Sequence, residues 1–175
     1  MTRPILVPFL LATTLLAACK EETDQAPDPI TMTSDALSHF CMMQVDNHPG
    51  PKAQIHLKGL PDPIFFAQMR DALAYVKGPE RDADILAFYV SDMGAAPDWE
   101  TPGIDNWIAA ETAAFVVGAD VTGGMGAPEI VPFSDPALAQ DFAADKGGEV
   151  MSLEDIPAAT VLAPVDIILN EEPPS

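Results

Sequence analysis

The chemistry this chain can offer is carried by sulfur. It has two cysteines, Cys19 and Cys41. Cys19 closes an apolar N-terminal export segment, which leaves Cys41 as the one thiol expected in the mature chain, with no partner for an internal disulfide. An unpaired thiol in an oxidising compartment needs burial, a metal or a reaction to account for it. Cys41-Met42-Met43 stands just ahead of the turn-forming stretch Asp46-Asn47-His48-Pro49-Gly50-Pro51, so these sulfurs lie near a turn at the start of the folded part. A thiolate with thioethers is a soft donor set that prefers Cu(I). Hard oxygen sites select Mg or Ca, and a structural Zn site wants four Cys or His ligands that this chain does not easily assemble.

The remaining methionines sort by context. Met69 falls in a helical stripe and Met151 in a strand, where a thioether is core filling. Met125 lies in Gly123-Gly124-Met125-Gly126-Ala127-Pro128, a glycine-flanked loop that allows close backbone approach and gives the side chain no element to pack on. Met93 ends a strand and is an intermediate case. Cys41 and a neighbouring thioether from one part of the chain, with Met125 from another, would make a low-coordinate metal site. His39, His48 and His56 read as surface or satisfied residues. No histidine sits two residues after Cys41 and no later cysteine follows, which disfavours a blue-copper centre. No Ser/His/Asp arrangement, phosphate loop or EF-hand loop has suitable spacing, so the chain is not expected to be an enzyme.

Two stretches of similar order must position these residues. Ala53 to Lys58 alternates as a half-buried strand, Pro63 to Phe66 is a short extended piece, and Phe66, Met69, Leu73 and Val76 recur at helical spacing before Gly78-Pro79. Asp84 to Val90 is a third strand. Ala114 to Val117 then opens a second set, followed by Glu129 to Phe133, whose Pro132 assigns it to a sheet edge. Asp135-Pro136 is a cap with proline at the first helical position, Leu138 and Phe142 lie one turn apart, and Gly147-Gly148 ends the helix before Glu149 to Ser152. The expected fold is α+β, two related strand-strand-helix-strand halves at residues 39–98 and 99–165, with a tryptophan-bearing connector from Asp92 to Glu111.

The N-terminus sets the compartment. Arg3, the apolar run Ile5 to Ala12, and Leu15-Leu16-Ala17-Ala18 before Cys19 form a secretory signal at residues 1–18, too short to remain as a membrane span. Leu16-Ala17-Ala18-Cys19 resembles the bacterial lipobox, which implies lipidation at Cys19, and several acyl chains on one residue suffice for stable attachment. Lys20 in place of Asp after the anchor points to the outer membrane, on its periplasmic side. Residues 19–38 are polar, carry Pro27 and Pro29, and read as a flexible tether; residues 166–175 read as a flexible tail. A formal charge of −19, from 8 Lys and Arg against 27 Asp and Glu, excludes nucleic acid as a partner.

Cys41-x-Met43, His48-Pro49-Gly50-Pro51-Lys52-Ala53-Gln54-Ile55-His56, Tyr89-Val90-Ser91-Asp92-Met93-Gly94 and Gly123 to Glu129 arrive in the order found in the NosL family, which the chain resembles from the lipobox to about Pro164. The resemblance implies a Cu(I) chaperone lipoprotein, with copper as transported cargo, that serves nitrous oxide reductase. Its partners would be the reductase apoprotein and a membrane ATP-binding-cassette accessory complex, and its fold would be similar to organomercurial lyase. It implies Cys41 as the thiolate ligand and Met43 as a thioether, with Met125 the expected partner from the second half and Met93 and His48 in reserve. Family members commonly carry glycine where this chain has Met42, so Met42 could compete with Met43. The same ligands would also serve a copper-buffering lipoprotein, and a metal-free adaptor in reductase maturation is the further alternative.

Overall fold

A computed structural model describes residues 26–165; Cys19, the signal segment and the tail from residue 166 lie outside the described residues. In the first half β1 (Ala53–Leu57), β2 (Ile64–Phe66), α1 (Met69–Lys77) and β3 (Ile85–Ser91) follow one another, and β1 lies between β2 and β3 in an antiparallel sheet. Trp107–Ala109 adds β4 to the free edge of β3. In the second half β5 (Ala114–Val117), β6 (Val131–Phe133), α2 (Pro136–Lys146) and β7 (Glu149–Met151) repeat the order, with β5 between β6 and β7. Both halves therefore have the expected strand-strand-helix-strand path with the first strand central. Pro132, which cannot donate to a ladder, sits on an edge strand as its chemistry requires.

Four expectations need correction. Phe66 belongs to β2, where it pairs with Ala53, and the helix begins at Met69. The connector supplies β4, so residues 107–109 complete the first sheet rather than the second half. In α2 the buried position is Ala139; Leu138 is 42% exposed, and Phe142 reaches the core by packing on Phe133. Most important, the stretch assigned to the tether does not stay free of the domain from Pro27 onward. Gln54 donates to Ile30 O and accepts from Ile30 N, Tyr89 donates to Pro27 O, Thr31 donates to Asp105, and Met32 is buried.

That strap explains why β1 is buried on both faces instead of one. Ala53, Ile55 and Leu57 face the main core with Phe66, Met69, Leu73 and Phe88, while residues 27–32 cover the Gln54 and His56 face. The polar face is tolerated because its groups are paired: His56 Nε2 lies 3.1 Å from Gln54 Oε1, and burial lowers the pKa of the imidazole.

The main core crosses between halves, joining these residues to Phe115, Ile130, Ile156 and Val161. A short helix, α3 (Ala158–Leu162), lies against α1, and the Arg70 guanidinium donates to Thr160 O and Ala163 O at 2.8 Å each. At the other end of the junction Met93 N donates to Pro132 O, and the buried Asp92 carboxylate accepts from Gly94 N, Ser134 N and the Ser134 hydroxyl. Asp92→Ala removes all three acceptor contacts and strands two Ser134 donors, so urea unfolding should show a loss of about 2–4 kcal/mol. A loss below about 1 kcal/mol would instead place the junction's stability in the shared apolar core.

Candidate metal centre

Two loops form the site. The first is closed by a bridge between Leu37 and Gln44, with Ser38 N donating to Met43 O and Met42 N donating to Ser38 O. Its stem continues the sheet: Ser38 pairs in parallel with Phe65, His39 N donates to Phe65 O, and Ala67 N donates to the Ser38 hydroxyl. His39 and Phe40 pack on Phe66 and Tyr75 and hold the loop down. Cys41 sits half-buried at its tip, and Met42 turns the chain with a φ of 56°, uncommon for a residue with a side chain. His39 is thus part of an aromatic cluster.

The second loop runs between Thr122 and Pro128, which form a bridge. Gly123 N donates to Ala127 O, and Gly126, at φ 79°, donates to Gly123 O. Its glycines allow the close approach that the sequence suggested. A Cβ on Gly124 would lie 2.5 Å from His48 Cβ and 3.1 Å from Pro49 O, and one on Gly123 would strike the Glu129 carboxylate. Lys52 braces the facing loop from inside: its ammonium donates to the carbonyls of His48, Pro49, Gly50 and Ala67. Burial lowers the Lys52 pKa to about 8, which leaves the side chain charged at neutral pH, and carbonyls accept only.

The two loops bring Cys41 and Met125 onto one cleft of about 320 Å³, whose other walls are Phe40, Gln68, Arg70, Asp71, Ala127 and Val165. Met43, 44% exposed, and Met42, 65% exposed, are not among the lining residues. Met93 packs against the second-half core cluster that includes Phe133 and is not among the cleft's lining residues. His48 directs Nδ1 to Gln44 O at 2.9 Å, though its Cβ abuts the Met125 loop. Met69 is fully buried and Met151 packs on the main core, as expected of core methionines. A larger groove of about 610 Å³ adjoins the Cys41 loop, lined by residues including His39, Phe40, Tyr75 and Leu162, with no sulfur among the described residues of its wall. Among the described residues no three His, Cys, Asp or Glu side chains come close enough to hold a metal.

Sequence reasoning missed the polar support of this cleft. Gln68 and Glu129 are polar residues around it that no spacing rule marks, because they have partners distant in the chain: Gln68 with Met125, and Glu129 with Arg70.

Fold and cleft together define a duplicated α+β protein that presents a thiol from one half and a thioether from the other on a shared surface. The NosL family model matches residues 29–161, and this chain belongs to the NosL family. It is 53% identical over 165 residues to the copper-binding lipoprotein NosL of Achromobacter cycloclastes, covering 94% of this chain and 84% of that protein. It is 33% identical over 141 residues to the copper-binding lipoprotein NosL of Stutzerimonas stutzeri, covering 80% and 72%. The crystal structure of the copper chaperone NosL from Shewanella denitrificans superposes with a TM-score of 0.71 at 31% identity, over 75% of this chain and 97% of that one. These relatives are named as copper-binding proteins and a chaperone, not as enzymes.

Proposed function

We propose that this chain is a lipid-anchored Cu(I) metallochaperone that supplies copper for assembly of the copper centres of nitrous oxide reductase. The observation that carries the reading is the meeting of Cys41 and Met125 on one open cleft. Thiolate and thioether are soft donors that suit Cu(I), and a site with few ligands at a surface can release its ion to an acceptor. Cys41 is the thiolate ligand and Met125 the thioether facing it. Met43, exposed and outside the lining, is the third ligand, brought in by its flexible side chain. The names of the relatives support copper as cargo.

The lipobox ending at Cys19 supports attachment to a bacterial membrane on its periplasmic side, and Lys20 favours the outer membrane. The reductase apoprotein and an ATP-binding-cassette accessory complex are the partners. The duplicated halves are the basis for a likeness to organomercurial lyase.

Delivery and mere buffering differ in whether contact matters. Cu(I)-loaded protein mixed with the reductase apoprotein should load it faster than the same protein held behind a dialysis membrane at equal free Cu(I). Equal rates would favour a copper buffer. Full reductase maturation in cells carrying Cys41→Ala would favour the metal-free adaptor.

A further inference from the structure

Gln68 precedes α1 at the N-cap position, yet its side chain makes no capping bond. The amide is 3% exposed and has two other partners: Nε2 donates to Asp71 Oδ1 at 2.9 Å, and Oε1 accepts from Met125 N at 3.2 Å. Asp71 lies in the first turn of α1, where the helix dipole favours a carboxylate. A carboxylate only accepts, so it turns the amide nitrogen toward itself and leaves the oxygen facing the Met125 loop. The loop closes directly on that oxygen, since a Cβ on Gly123 would lie 3.1 Å from Gln68 Oε1. Gln68 and Asp71 both line the cleft with Cys41 and Met125. Met125 has little rigidity of its own between Gly124 and Gly126, and glycine widens the range of backbone states it must be held against.

On the copper reading of Cys41 and Met125, we propose that Gln68, oriented by Asp71, is a positioning residue for the metal site: it holds the Met125 backbone so that the thioether of the second half meets the thiol of the first. The test is an anaerobic Cu(I) titration of the exported chain against a chromophoric chelator at pH 7, with the ¹H–¹⁵N resonance of Met125 followed in the same proteins. Gln68→Leu should weaken Cu(I) binding about tenfold, in the range known for residues that orient metal ligands, and should shift the Met125 amide. The double exchange Gln68→Glu with Asp71→Asn reverses donor and acceptor at constant charge. Its carboxylate accepts from Met125 N and from the new amide, so affinity and amide shift should return to near wild type. A structural role alone would not produce that rescue. Wild-type affinity in Gln68→Leu, or a loss that the double exchange fails to restore, overturns the positioning role while Cys41→Ser still abolishes binding. Wild-type binding by Cys41→Ser overturns the copper site itself.

Discussion

Cys41→Ser should abolish Cu(I) binding, lowering affinity by more than the roughly 10–100-fold typical of losing a residue that merely orients a ligand. Cys41 is the only cysteine among the described residues, so no other thiol among them can take its place. The serine hydroxyl is a hard, neutral donor that remains protonated at neutral pH, whereas the thiolate is the soft anion that neutralises Cu(I). Cys41 is half-buried on a loop tip outside the main core, so the substitution should leave the thermal unfolding midpoint almost unchanged and separate binding from folding. Met125→Ala should reduce affinity less, because a neutral thioether contributes no charge. Anaerobic titration with a competing chelator checks both. The protein used must begin before Pro27, since Pro27 and Ile30 are hydrogen-bonded to the first sheet. Tight one-to-one binding by Cys41→Ser would exclude the cleft as the copper site.

Glu129→Gln should change how stability depends on pH. Glu129 is 1% exposed; its Oε1 accepts from Ile130 N and Arg70 N, and among the described residues its Oε2 has no hydrogen-bond partner. Burial pushes its pKa from 4.5 up to about 8, against the opposing pull of those two N–H groups and of Lys52. Between those two values the folded protein holds a proton that the unfolded chain has released, so wild-type stability falls as pH rises through that window. At about 1.4 kcal/mol per pKa unit the change is on the order of 4 kcal/mol. Glu129→Gln keeps an oxygen acceptor for the two backbone donors and never ionises. Its stability relative to wild type should therefore climb from pH 5 to pH 8 in urea or thermal unfolding. Curves that stay parallel would show that the folded carboxylate is already ionised beside Lys52. The window stops at pH 8 because Lys52 acts in the opposite sense beyond it. Its pKa, lowered by burial to about 8 from 10.5, makes stability rise with pH between those values.

Much of the framework was legible along the chain. Strand alternation, the Asp135-Pro136 start of α2, the glycine stops and the edge-marking Pro132 all report local backbone preference, and the order strand, strand, helix, strand appears in both halves. β4 was not legible because it falls in the stretch read as a connector and pairs with a strand already assigned, and α3 because five residues are too few to show a helical period. Residues 27–38 read as tether because they are polar and proline-bearing, and nothing in their own composition says that Gln54 will bind the Ile30 backbone.

The sequence by itself determined the kind of chemistry. One thiol expected in the mature chain, thioethers beside it and on a glycine-flanked loop, and too few histidines and cysteines for a structural zinc site point to a soft site. Only the tertiary structure decided which sulfur-bearing residues share a cleft. Cys41 and Met125 are brought to one cleft because the first loop is pinned to the β2 edge and the second is drawn onto Gln68 and His48, while Met43, only two residues from Cys41, is exposed and outside the lining. Local sequence can specify a donor's softness, since that is a property of the side chain. It cannot specify convergence, which depends on hydrogen bonds and close packing between segments dozens of residues apart.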